Sequence, residues 1–177
     1  IGRPPKTAVG VGARLRRPTG DQYDFFSVDY DYGDGLHIHS LSRQIPGCYA
    51  RVGENFMTDK AEIMGGGKIR RFDGNEVKYE DVGHAGNPYV NEHADMLKSI
   101  MNGNVLNEGE SVAMSTATAI IGRISAYTGQ AVRMSDILTT TESPFYNLAF
   151  KPSPIDFEGE KDIELPKENV APIPGKD

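Results

Sequence analysis

The sequence predicts an α+β fold, a mostly antiparallel open-faced β-sheet with helices packed on one face. Two observations carry this. The first half alternates apolar and polar residues with period two between glycine-rich turns, and the second half carries apolar residues at helical spacing between recognisable caps. Strands gathered before helices, rather than interleaved with them, favour α+β over a doubly wound parallel sheet.

The strands come first. Val9, Val11, Ala13 and Leu15 alternate with Gly10, Gly12 and Arg14, which predicts a half-buried strand within 7–17. Phe26, Val28, Tyr30 and Tyr32 alternate with Ser27, Asp29 and Asp31. Gly33, Asp34 and Gly35 then form a turn that tolerates positive φ, so that 36–44 returns as the second arm of a hairpin. Shorter strands are expected at 55–58, 61–64, 68–72 and 76–80, with turns at 65–67 and 73–75, as one antiparallel meander.

The helices follow. Asn87 as N-cap and Pro88 at the first helical position start one helix. Val90, Ala94, Leu97 and Met101 share a face of it, and Gly103 ends it. Asn107 with Glu110 resembles a capping box ahead of the longest helix. Its apolar stripe is Val112, Thr116, Ala117, Ile120, Ile121 and Ile124, and Gly129 stops it. The small residues Ala113, Ser115, Ala117, Ala119 and Gly122 suit close approach to a sheet. A last short turn is expected at 134–138.

A chain of 177 residues can bury about two-thirds of its unfolded surface, so it needs no disulfide or metal to hold a core. Its prolines divide it: six of eleven fall in 141–177, a stretch with eight acidic and four basic residues. Residues 1–140 are therefore expected to form the α+β domain, and 141–177 an acidic, extended tail anchored by Phe145, Tyr146, Leu148, Phe150, Ile155 and Phe157. The net charge of −6 argues against a nucleic-acid partner, and Arg14, Arg16 and Arg17 form the only basic cluster besides Arg70 and Arg71. No segment reaches the length of a membrane span. The single Cys48 excludes an internal disulfide and reads as an inert thiol. The start at Ile1, Gly2, Arg3 and Pro4 is expected to be the interior of a longer protein.

Most motif-like features read as structure. Gly10 and Gly12 begin like a dinucleotide fingerprint, but Leu15 stands where its third glycine belongs and the run lies inside a strand. Gly65, Gly66, Gly67 and Lys68 lack the remaining P-loop residues. His37 and His39 share a strand face with Leu41 and Arg43, whose charge opposes a bound cation, so no metal site is expected. The stretch from Gly83 and His84 to His93 is the better candidate, because a glycine-rich loop entering a helix gathers polar side chains and unpaired N–H groups. Arg43 and Gln44, at the end of the hairpin, form a second set of donors.

Taken in order, residues 3–14 (RPPKTAVGVGAR), the 24–44 hairpin closing on 42–47 (SRQIPG), 87–93 (NPYVNEH), 106–113 (LNEGESVA) and 121–132 (IGRISAYTGQAV) resemble the C-terminal domain of the glucose–fructose oxidoreductase, inositol dehydrogenase and rhizopine-catabolism (Gfo/Idh/MocA) family. The resemblance covers about residues 1–138. It departs at Thr58, Asp59, Lys60 and Ala61, where relatives often carry a Gly-Thr-Lys-Gly turn.

The resemblance implies an NAD(P)-dependent oxidoreductase of a sugar, polyol or glycoside, with NAD or NADP held by an upstream Rossmann domain absent here. No catalytic, cofactor-binding or metal residue is expected in this stretch, because the family's lysine and its aspartate–histidine helix belong upstream. The stretch alone is expected to be inactive. Tyr89 matches a tyrosine at the helix start that faces the substrate cleft, flanked by Asn87 and His93, with Arg43 and Gln44 as further substrate contacts. The expected partners are the chain's own Rossmann domain, a carbohydrate-type small molecule, and further copies of the chain through the open sheet face. The alternative is a stand-alone carbohydrate-binding or dimerisation module without catalysis. A third reading is a metal hydrolase using His37 and His39.

Overall fold

The computed structural model describes residues 1–18, 20, 22–65, 68–75, 77, 87–146, 171 and 173–175. They fall into two compact units, Ile1–Gly47 with Glu108–Asp177, and Cys48–Asn107.

The first unit is a four-stranded antiparallel sheet with a helix on one side. Its strands are β1 (Thr7–Ala13), β2 (Phe25–Gly33), β3 (Leu36–Arg43) and β7 (Val132–Arg133), in the order β3-β2-β1-β7. The period-two pattern decides the faces. Ala8, Val28, Tyr30, Tyr32 and Val132 turn inward. They form the core with Ala117 and Ile121 of α2 (Gly109–Thr128) and Met134 of α3 (Met134–Leu138). Val9, Val11 and Leu41 point the other way and are 54%, 61% and 74% exposed. The sheet is therefore open-faced, as the alternation implies.

Small residues bring α2 close to the sheet. A Cβ on Gly10 would stand 2.9 Å from the Gly122 carbonyl, and one on Gly122 would collide with the Tyr30 hydroxyl. The buried line of α2 is Ala117, Ile121, Gly122, Ser125 and Ala126. It keeps Ala117 and Ile121 of the expected stripe, but Val112, Thr116 and Ile120 are exposed, because the tightest approach selects small side chains at the remaining positions.

A buried carboxylate fixes the far end of β1. Asp24 accepts the backbone N–H groups of Leu15, Arg16 and Arg17 at 2.9, 2.7 and 3.0 Å. Burial pushes its pKa up, but these hydrogen bonds outweigh that and hold it below the ordinary carboxylate value.

Among the described residues, the second unit holds a separate three-stranded antiparallel sheet and one helix. The strands are β4 (Asn55–Met57), β5 (Ala61–Met64) and β6 (Lys68–Arg71), so the expected single meander is two sheets. Thr58 builds the β4–β5 turn, its Oγ1 donating to the Ala61 carbonyl and accepting from the Lys60 and Ala61 N–H groups. The helix is α1 (Pro88–Asn102), capped by Asn87 and closed by Gly103 at φ 68°, as its sequence predicts. The strand expected at 76–80, the loop with His84 and most of the 141–177 tail lie outside the described residues.

Candidate functional site

Three of the expected substrate residues lie on the first turns of α1. The Asn87 carboxamide oxygen accepts the Tyr89 N–H at 3.0 Å, and its NH2 is the donor it can offer a ligand. Tyr89 is 73% exposed. His93 stands one turn further on, and its Nδ1 lies 2.6 Å from the Tyr89 carbonyl. A carbonyl only accepts, so Nδ1 carries the proton and donates, and in the neutral ring Nε2 keeps its lone pair. Residues four apart share a helix face. The first turns of α1 therefore present a phenol O–H, an imidazole acceptor and an amide donor, a set suited to hydroxyl groups.

Arg43 and Gln44 belong to the other unit. Arg43 pairs with Phe25 at the end of β3, on the open face, and the Gln44 N–H donates to the Asp24 carbonyl at 2.8 Å.

That open face carries a polar network that reading single strands did not reveal. The hairpin register sets Asp31 beside His37 and Asp29 beside His39. His37 Nδ1 lies 2.8 Å from Asp29 Oδ2, and its Nε2 lies 3.8 Å from Asp31 Oδ1. The hydrogen bond to Asp29, aided by the charge of both carboxylates, holds the His37 pKa above the ordinary histidine value against the opposing effect of desolvation. His39 Nε2 lies 3.1 Å from Ser27 Oγ. Carboxylates thus do stand near the two histidines, brought there from the neighbouring strand. The turn at 33–35 was the available signal, because it fixes which residues face each other. Among the described residues, no group of three or more His, Cys, Asp or Glu side chains is placed to hold a metal ion.

A groove of about 750 Å³ runs along α2, lined by Thr116, Ile120, Ile124 and Tyr127, by Ile137 of α3 and by Phe145. Its polar groups are largely committed: Thr116 and Thr128 donate to carbonyls of their own helix, and the Arg123 guanidinium lies over the Tyr127 ring, 5.2 Å from its centroid. A hydroxyl-rich ligand finds few partners there.

Gly10 and Gly12 do not form a dinucleotide cradle. They lie within β1, and the Gly10 N–H donates to Ser125 Oγ at 2.8 Å. Among the described residues, no helix is long and apolar enough to cross a membrane. Comparison with protein-family models finds no match for the chain, and comparison with curated proteins finds none.

Proposed function

We propose that this chain is the substrate-binding and self-associating domain of an NAD(P)-dependent oxidoreductase acting on a sugar, polyol or glycoside. The observation that carries the reading is the one-sided sheet. A helix covers one face of β3-β2-β1-β7, and the other leaves Val9, Val11 and Leu41 in solvent. Antiparallel sheets often keep one face in water, but exposed Val9, Val11 and Leu41 are apolar positions that an assembly would cover. The ordered resemblance to the Gfo/Idh/MocA C-terminal domain supports the same reading.

The glycines of β1 do not suit a dinucleotide, so the nucleotide is assigned to an upstream domain and no hydride step to this chain. Its part is orientation. Tyr89 O–H donates to or accepts from a substrate hydroxyl, and its ring packs on the apolar face of a sugar. His93 Nε2 accepts a second hydroxyl, and the Asn87 NH2 donates to a third oxygen.

The test compares the 177-residue chain with the longer protein encoded when the upstream coding region is included. The chain alone is expected to bind NADH and NADPH negligibly in a fluorescence titration and to reduce neither oxidised cofactor with a panel of sugars and polyols. The longer protein is expected to do both. Dehydrogenase activity in the chain alone would overturn the assignment. An upstream region without a nucleotide-binding strand–turn–helix would instead support the module without catalysis.

A further inference from the structure

We propose that the groove along α2 is the seat of this chain's own segment 148–154, laid into it as an extended ribbon. The interface lies within the first unit and stands apart from the oxidoreductase reading.

The groove is apolar and open. Ile120 and Leu138 on its rim are 43% and 40% exposed, and Ile124, Ile137 and Phe145 are half-buried in its walls. The chain beyond α3 meets it at two points. At the first, a turn at 143–146 seats Phe145 in the groove. The Phe145 N–H donates to Ser143 Oγ at 3.1 Å, and the Tyr146 N–H donates to the Ser143 carbonyl at 3.0 Å. At the second, the carbonyl of Thr128, another lining residue, accepts the Gly175 N–H at 3.1 Å, with Pro174 beside Gly129. Residues 147–170 join these points. The stretch that follows Phe145 is therefore tethered at the groove, at the roughly millimolar effective concentration of a short link.

The sequence of that stretch fits the groove. Pro152 and Pro154 bar a helix and bias Lys151 and Ser153 toward extended backbone. An extended chain sets Leu148, Phe150, Pro152 and Pro154 on one side, and Ala149, Lys151 and Ser153 on the other. The first side is wholly apolar, and the second carries the charge and the hydroxyl. Leu148 to Pro154 spans about 20 Å at strand rise. The lining on α2 runs from Ala113 to Thr128, about 22 Å of helix. A ribbon lying on a helix has no strand to pair with, and the two prolines have no N–H to leave unsatisfied. Charge agrees with this. Among the described residues, Arg123 is the charged side chain of the lining, and the stretch 141–177 carries eight acidic residues against four basic ones.

Rates of disulfide formation under copper phenanthroline and air test the proposal, in the 177-residue chain carrying Cys48→Ser. Ile120→Cys with Phe150→Cys is expected to form a bond within one chain, at a rate independent of protein concentration. Ala119→Cys, the neighbouring position on α2 and outside the groove lining, is expected to react with Phe150→Cys at least about tenfold more slowly. Leu148→Ser, which leaves the groove itself unaltered, is expected to slow the bond between positions 120 and 150 by a similar factor. Both helix positions are exposed, and an unchanged far-UV spectrum checks that each variant folds. Peptide mapping identifies the bond. Equal rates at 119 and 120, a rate indifferent to Leu148→Ser, or no bond at either position overturns the proposal. A bond that forms only between chains, faster as concentration rises, overturns it as well and gives the groove to a second copy.

Discussion

Ser125 joins the helix to the sheet through Gly10. Its hydroxyl accepts the Gly10 N–H at 2.8 Å and donates to the Gln130 carbonyl at 2.5 Å. The side chain is fully buried. Gly10 is what permits the approach, and Ser125 satisfies the strand N–H that the helix would otherwise shield from water.

Both halves of that joint are expected to be sensitive. Ser125→Ala leaves a buried N–H without its partner and is expected to cost about 1–3 kcal/mol. Gly122→Ala forces a methyl group into the Tyr30 hydroxyl and is expected to cost about 1–3 kcal/mol. Urea unfolding of each variant measures this. A midpoint unchanged in either would show that the helix yields without loss.

His37 is expected to titrate above the ordinary histidine value, and Asp29→Asn to bring it back down. The sign follows from the raised pKa. The interaction stabilises the fold fully below the unfolded-state pKa and is lost as pH rises through the folded one. Histidine NMR titration of both proteins checks it, and equal midpoints would remove Asp29 as the cause.

Asp24 is expected to act in the opposite direction. Its pKa is depressed, so its contribution is present above the unfolded-state value and is lost as pH falls through the folded one. The wild-type melting temperature should therefore fall on acidification from about pH 6 to about pH 3 more steeply than that of Asp24→Asn. Parallel slopes would mean that the three N–H bonds are as well made to the neutral form.

At the α1 start, capping and substrate contact are separable. Asn87→Ala is expected to weaken the helix by about 1 kcal/mol, whereas Asn87→Ser keeps the cap and loses only the NH2 donor. On the oxidoreductase reading proposed above, Tyr89→Phe in a protein that carries the proposed upstream nucleotide-binding domain is expected to lower turnover without changing NAD(P) affinity. Unchanged kinetics with the best substrate would remove Tyr89 from the site.

The elements that a short window specifies were legible in the sequence. The hairpin follows from alternation around Gly33, Asp34 and Gly35, and α1 from Asn87, Pro88 and Gly103. What escaped depends on distant partners. Strand β7 is two residues long and exists because Val132 and Arg133 pair with Ala8 and Thr7. The separation of β4–β6 from the first sheet has no local marker. The buried face of α2 was legible in part: Ala117 and Ile121 of the expected stripe and Gly122 of the expected small residues are buried, while hydrophobicity also favours Val112 and Ile120, which stay exposed, and the sheet admits Ser125 and Ala126 instead. The expected site residues were legible as a helix start, yet the cross-strand pairing of His37 with Asp29 needed the register.

The hairpin turn has a consequence for how the gene can vary. Gly33, Asp34 and Gly35 are three successive residues at positive φ, 82°, 58° and 76°. Such a turn has little freedom to absorb a change in length. Side chains alternate along β3, so one residue added or removed there acts like a frameshift confined to a single strand. Ile38 would turn out to solvent, and His37, His39, Leu41 and Arg43 would turn in toward α2. The face offered to other molecules would be rewritten without one of its own residues having changed.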